Sequence, residues 1–393
     1  MRKWIWLAIT AVCLCAQTVP ARAAEKEPSV EALGAVLVDF DTGRVLWAKN
    51  AHTPLAMAST TKIMTCILAL ENGAFSDRVT VSKRAAAAPD VQMHLQAGET
   101  VSLEVLLHAL MLQSSNDAAI AVAEHIGGTV EDFCRMMTAR AHELGAVNTL
   151  FETPNGLDAG EHHSTAYDLA AITRYALQNE TFVRLVNTRQ FTGTSSRTTY
   201  AMTNKNRLLA ELDGANGVKT GFTGKAGHCF VGAAERDGLR LISVVLGSGW
   251  GPHGKEQKWI DTKRVLEYGF RTFAHTPLIE EGSAAGAVVV ERAKRNTVGV
   301  HYGAGLSAPL SVVERETVTV RVKLPEALRA PVMQGDAVGA AEVFINGALY
   351  ETVAICADES VARHDLKTSL EKVLGAFLGL AADEDVRVVL PEF

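Results

Sequence analysis

The spacing of hydrophobic positions changes several times along the chain, and each change marks an element. Gly34 to Phe40 and Arg44 to Lys49 are apolar-rich runs on either side of Asp41-Thr42-Gly43, which predicts a strand, a tight turn and a second strand. From Ser59 the period becomes helical, with Ile63, Met64, Ile67, Leu68 and Leu70 recurring until Asn72-Gly73 ends the run. Helical spacing also covers about Ser102 to Leu112, Asp117 to Ile126, Thr129 to Leu144 ahead of Gly145, and Thr165 to Leu177. Strand-like runs return at Gly217 to Phe222, His228 to Glu235 and Leu239 to Leu246, the last two joined by Asp237-Gly238. Lys258 to Phe273 then restores a helical period through Trp259, Ile260, Val265, Leu266 and Phe270.

An early hairpin, a helical middle, a late antiparallel set and a closing helix predict one α+β unit whose first strands join its last, with the helical segments on its faces or in a second lobe. Composition shifts near His275-Thr276-Pro277. Beyond Gly286 short Val-rich alternating runs (Ala287 to Val290, Thr297 to His301, Thr317 to Val322, Glu342 to Ile345) and the Asn346-Gly347 turn signal predict a small β domain. After Ser360 an apolar stripe of Leu366, Leu370, Val373, Leu374, Phe377 and Leu378 marks an amphipathic tail. The expected organisation is residues 24–275 as one domain, 276–362 as a small β-rich domain and 363–393 as the tail.

Arg2 and Lys3, the apolar run Trp4 to Ala16 and the small-residue pattern Ala21-Arg22-Ala23 predict a secretory signal peptide over residues 1–23 and hence an exported protein, periplasmic or on the outer face of the cytoplasmic membrane. Its removal would lower Lys plus Arg from 38 to 35 against 44 Asp plus Glu, a net charge near −9. That balance argues against a nucleic-acid partner, which calls for clustered positive charge. The four cysteines outside the signal, Cys66, Cys134, Cys229 and Cys356, are widely spaced in apolar contexts, without metal-ligand spacing, and read as buried thiols.

Candidate chemistry lies in an ordered set of three short motifs. Ser59-Thr60-Thr61-Lys62 opens a helix and puts Ser59 and Lys62 on one face, one turn apart. A serine hydroxyl is a weak nucleophile until a base takes its proton, and Lys62 serves as that base only if burial or nearby cations leave it neutral. Ser114-Ser115-Asn116 falls between two helical patterns, where Ser114 could relay a proton and the Asn116 amide could hold a substrate carbonyl and Lys62. Lys219-Thr220-Gly221 lies in a predicted strand, offering a cation and a hydroxyl to a carboxylate and, at Gly221, a backbone that a peptide can approach without a Cβ in the way. Taken singly, each motif also suits a helix cap, an interhelical turn or a strand edge. A second Ser-x-x-Lys at Ser369 to Lys372 shows how little the first pattern means alone.

Jointly the three motifs resemble those of the penicillin-binding, active-site serine family. The stretches Pro54 to Thr65, Ser114 to Ala119 and Lys219-Thr220-Gly221-Phe222-Thr223 with Ala226-Gly227 narrow the resemblance to its low-molecular-mass D-alanyl-D-alanine carboxypeptidases, of the S11 peptidase family. Thr153-Pro154-Asn155-Gly156-Leu157 and His163 to Asp168 look like the connecting segment of that family, and the likeness spans roughly residues 30–275. It implies a transpeptidase-like serine hydrolase fold, antiparallel sheet with helices plus a helical lobe, followed by a small all-β domain. It further implies Ser59 as the acylated nucleophile, Lys62 as general base, and Ser114 as proton relay with Asn116 in the second motif. Lys219, with Thr220 and Gly221, would hold the substrate carboxylate, and the backbone N–H groups of Ser59 and Phe222 would form an oxyanion hole. Peptidoglycan stem peptides and β-lactams are the implied partners, with no cofactor and no metal. Ser115 stands where relatives often have glycine, which bears on the local backbone angle.

His162-His163 has no third ligand at diagnostic spacing, and Glu152 lacks the surroundings of the deacylating glutamate of class A β-lactamases. Penicillin is therefore expected to leave a long-lived acyl-enzyme. A D,D-endopeptidase, a β-lactamase and a non-catalytic β-lactam sensor or cell-wall binding protein are the competing readings of the same motifs. For the tail, peripheral membrane anchoring and simple packing both stay open, since Asp383-Glu384-Asp385 follows it.

Overall fold

The computed structural model describes residues 26–364 and residue 370; the signal segment and, apart from Leu370, the stripe from Leu366 to Leu380 lie outside the described residues. The chain divides into two compact units, one ending at Ala274 and the other beginning at His275.

In the first unit β1 (Gly34–Asp39), β2 (Val45–Lys49), β3 (Ala215–Thr223), β4 (Gly227–Arg236) and β5 (Leu239–Leu246) form an antiparallel sheet in the order β2-β1-β5-β4-β3. The first strands do join the last, with Val36 opposite Val244 and Leu37 opposite Ser243. The period-2 alternation of side chains explains why β1 reads as a continuous apolar run. Val36 and Val38 enter one core and Ala35 and Leu37 the other, so both faces of the strand are covered. The same split places Val231 and Val244 on the first face and Phe230 and Val245 on the second.

Onto the first face packs α1 (Lys62–Asn72), preceded by a single 3-10 turn at Ala58–Thr61. Around it lie α2 (Asn116–Gly127) and further helices at Val130–Glu143 and Ala166–Ala176, all within a few residues of the expected bounds. The opposite face is closed by α3 (Gly251–Thr272), through Trp259, Val265 and Leu266. This helix begins two turns before the expected Lys258, because its opening carries Gly251, Pro252 and Gly254 and no apolar period to read. Pro252 in the first turn costs nothing there, since that N–H has no intrahelical partner.

The second unit is built on a six-stranded sheet in the order Thr319–Lys323, Ala337–Ile345, Ala348–Ala357, Thr297–Tyr302, Ala284–Glu291, Ala327–Arg329, with one parallel pair at its far edge, and also carries the strand Leu306–Ser311 of a separate two-stranded sheet. Its two longest strands are joined by Asn346-Gly347, whose φ angles of 53° and 78° are those a type I′ hairpin turn demands. The unit also carries a four-residue helix at Val312–Arg315, opened by a Ser311/Glu314 capping box.

Candidate active site

The first motif is presented by a turn rather than by regular helix. Ala58 takes a φ of +48°, and the Thr60 hydroxyl donates to the Met57 carbonyl at 2.6 Å, which stands Ser59 out of the chain just ahead of α1. Lys62 begins α1 and is completely sequestered from solvent. Its Nζ lies 2.9 Å from Ser59 Oγ, 2.8 Å from Asn116 Oδ1 and 2.5 Å from the Asn155 carbonyl oxygen. Ser59 Oγ is itself 3.3 Å from the Asn155 carbonyl. Two of the three motifs thus meet at one amine, around a backbone acceptor that neither contains.

Two glycines allow these segments to approach so closely. Gly156, at φ +83°, packs its Cα so tightly against the nucleophile turn that a Cβ would stand 2.0 Å from the Ala58 carbonyl oxygen. Gly221 lets β3 pass the same turn, where a Cβ would lie 3.0 Å from the Ser59 nitrogen. The 153–165 segment is pinned from beneath by Thr65 Oγ1 donating to the Pro154 carbonyl at 2.6 Å. His162 adds a second pin. Its Nδ1 accepts from the Glu152 N–H at 3.0 Å, so its Nε2 carries the hydrogen and donates to Thr61 Oγ1 at 2.8 Å.

Both nitrogens of His162 are therefore engaged, and burial pushes its pKa down to about 4, with His163, Lys225 and Lys62 adding to the effect. It has no atom left for a metal, and the His163 Nδ1 likewise pairs with the Glu161 carbonyl at 2.5 Å. Glu152 turns its carboxylate to the Glu161 N–H at 2.6 Å, a local loop contact.

The third motif brings a second buried cation. Lys219 is 2% exposed and its amine donates to the Thr220 carbonyl at 2.9 Å. Burial, with Lys205 and Lys258 nearby, pushes its pKa down to about 7. Burial also holds the Lys62 amine well below the usual lysine range; the charge on Lys219 lowers it further and Asp117 opposes the shift. Phe222 is half-exposed and lies on the His228 ring with centroids 4.3 Å apart, so what it offers to the Ser59 side of the strand is backbone.

Ser114 is half-buried at the end of the Ala109–Gln113 turn, and no hydrogen bond joins its hydroxyl to Ser59 or Lys62 among the described residues. Its φ is +70°, whereas Ser115, where relatives often have glycine, is an ordinary extended residue at φ −64°. Serine at 115 therefore carries no backbone strain, and the left-handed residue of the motif is Ser114.

Sequence reasoning missed the Asn155 carbonyl because a backbone acceptor has no side-chain signature. Its only trace was the Pro-Asn-Gly turn signal at residues 154–156. The arrangement can support acyl transfer: a hydroxyl beside an amine of lowered basicity, with a second cation placed to receive an anion.

The comparisons agree with that chemistry. Residues 21–249 match the S11 peptidase family, described as D-alanyl-D-alanine carboxypeptidase, and residues 273–363 match the C-terminal domain of penicillin-binding protein 5. The chain belongs to the S11 family and is a serine-type D-Ala-D-Ala carboxypeptidase. It is 31% identical over 356 residues to the D-alanyl-D-alanine carboxypeptidase DacF of Bacillus subtilis, with 88% of this chain and 90% of that one aligned. To DacC of Escherichia coli, also named a D-alanyl-D-alanine carboxypeptidase, it is 32% identical with 85% of each covered. The crystal structure of penicillin-binding protein 5 from Haemophilus influenzae superposes with a TM-score of 0.72 at 28% identity, covering 86% of this chain and all of that one.

Proposed function

We propose that the protein removes the terminal D-alanine from peptidoglycan stem pentapeptides through an acyl-enzyme on Ser59, and that penicillin traps the same serine. The single observation that carries this reading is the 2.9 Å contact of Ser59 Oγ with a fully buried lysine amine. A neutral Lys62 has two hydrogens and one lone pair. With the hydrogens given to Asn116 Oδ1 and the Asn155 carbonyl, the lone pair faces the Ser59 hydroxyl and can take its proton.

Ser59 Oγ then bonds to the carbonyl carbon of the penultimate D-alanine. The peptide C–N bond breaks, and the departing amine takes a proton passed from Lys62, with Ser114 as relay. Water next attacks the ester, releasing the shortened peptide and restoring the Ser59 hydroxyl. The negative oxygen formed in each half is held by the Ser59 and Phe222 N–H groups, a donor pair of which each member is worth about 10²–10³ in rate. Lys219 and Thr220 receive the substrate carboxylate, and Gly221 gives the extended peptide room along β3.

Residues 24–275 are read as the catalytic domain, 276–362 as an accessory β domain and 363–393 as an amphipathic tail. No helix among the described residues is long and apolar enough to cross a membrane.

Intact mass after penicillin, paired with D-alanine release from a stem pentapeptide, tests the proposal. An adduct at Ser59 together with release supports it. Adduct without release points to a sensor or an endopeptidase, rapid drug turnover to a β-lactamase, and neither adduct nor turnover overturns the serine assignment.

A further inference from the structure

Next to the Asn116 that holds Lys62 sits a carboxylate that the chemistry above does not use. Asp117 is wholly buried. One of its oxygens accepts the Met93 N–H at 3.1 Å and the Ala118 N–H at 2.9 Å, and the other accepts the Leu95 N–H at 3.0 Å. Asn116 grips the same segment from the preceding position. Its backbone N–H donates to the Val91 carbonyl at 2.7 Å and its Nδ2 to the Pro89 carbonyl at 2.9 Å. Two consecutive residues at the start of α2 therefore bind one irregular stretch, 89–95, by four contacts.

That stretch needs an external restraint. Asp90 and His94 both lie at positive φ, +62° and +67°, which residues with a Cβ rarely hold unless the surroundings impose it. The restraint also bears on the chemistry. The Asn116 amide has two ends: the Pro89 carbonyl fixes the NH₂ end, and this alone obliges the oxygen to face Lys62 Nζ. If residues 89–95 drift, the amide is free to rotate and to offer hydrogens to an amine that needs an acceptor.

We propose that Asp117 is a positioning residue for acyl transfer, tethering residues 89–95 to the start of α2 so that the Asn116 carbonyl stays on Lys62. The inference rests on the Ser59/Lys62 reading above. It adds a second, electrostatic consequence. The Lys62 amine faces Lys219 from β3, Asp117 from α2 and His162 from the 153–165 segment, and of these Asp117 favours its protonated form while Lys219 opposes it. On its far side Asp117 lies within electrostatic reach of the Tyr200 hydroxyl, from the hairpin strand Thr199–Thr203.

The test is Asp117→Asn, which keeps the volume but replaces one acceptor oxygen with a donor. Acylation by a fluorescent penicillin is followed across pH on the full chain, for the variant and the wild type, with thermal melting as the check of folding. Acylation is expected to slow by about 10²-fold, the scale of a lost positioning contact. The rising acid limb of the rate profile is expected to move to lower pH, because Lys62 holds its proton less tightly without the nearby negative charge.

An unchanged rate, or a slower rate with the limb unmoved, overturns the proposal, since a purely structural role slows the reaction without retuning the base. If the variant does not fold, hydrogen exchange on the wild type decides. Amides of Met93 and Leu95 protected as strongly as those of α2 support the tether, and exchange at open-loop rates overturns it. Failure of the wild type to label at all would remove the Ser59 reading and this one together, whereas wild-type labelling with unaltered variant kinetics removes this one alone.

Discussion

Lys62 and Lys219, one from a helix and the other from the edge strand of the sheet, bury their amines close enough that the charge of the second lowers the proton affinity of the first. Neither is compensated by a salt bridge among the described residues. Two desolvated amines in one site cost stability, a familiar expense at catalytic centres.

Replacing Lys219 should therefore retune Lys62. Below about pH 7, where Lys219 holds its proton, Lys219→Met removes a positive neighbour, Lys62 becomes easier to protonate and the acid limb of acylation moves to higher pH. This is opposite in sign to the shift expected for Asp117→Asn, and a pair of pH–rate profiles reads both. Cleavage of a carboxylate-terminated peptide should fall as well, since its anchor is gone.

The same substitution should stabilise the fold. Lys219 titrates at about 7 in the folded chain, so above that pH the folded state binds fewer protons than the unfolded one. Stability from this group then rises with pH up to the ordinary lysine range near 10.4, by about 1.4 kcal/mol per unit, and is lost as pH falls through 7. Urea unfolding at pH 7.5 and pH 9.5 should show Lys219→Met the more stable chain, with the gap narrowing at the higher pH.

His162 works in the acid range. Its folded pKa of about 4 lies below the ordinary histidine value, so its neutral form contributes stability that is complete above about pH 6.5 and lost as pH falls toward 4. The loss should approach about 3 kcal/mol. His162→Gln should flatten the difference in stability between pH 7 and pH 4.5, measured by denaturant titration.

Gly156→Ala should damage both fold and chemistry. The added Cβ meets the Ala58 carbonyl at 2.0 Å in a left-handed conformation, so the chain around Asn155 must shift. A stability loss of about 1–3 kcal/mol is expected. Penicillin labelling should slow along with it, because the Asn155 carbonyl moves off Lys62. A labelling rate equal to wild type would mean that this acceptor is dispensable.

The cysteines offer a test of packing. All four are unpaired; Cys66, Cys134 and Cys229 are buried, and burial pushes the Cys134 and Cys229 thiols up to about 12 and the Cys66 thiol higher still. Native alkylation at pH 8 should stop at Cys356, with the others reacting only on unfolding, as peptide mass mapping would reveal.

The elements easiest to read in the sequence were those with a strong period or turn chemistry. Leu239 to Leu246 and its Asp237-Gly238 turn were legible to the residue, because alternation and turn agree. The helix Glu180–Asn187 and the hairpin Gln190–Thr194 with Thr199–Thr203 were not, since the first is short and the second is rich in Thr, Ser and Gly with little apolar content. At the site, Ser59, Lys62, Asn116 and Lys219 could be picked out by residue type and order. What holds them, the Asn155 carbonyl, the His162 clamp and the Asp117 tether, could not, because backbone acceptors and buried loop contacts depend on tertiary approach.

The acceptor shared by Ser59 and Lys62 belongs to the main chain. No side-chain substitution can delete it, so a mutational escape from β-lactams cannot take the simple route of removing that contact. On the Ser59/Lys62 reading, such escape would have to bend the backbone around Pro154-Asn155-Gly156, and in doing so it would disturb Lys62. On that reading the drug and the substrate both depend on an atom that mutation can move but not erase.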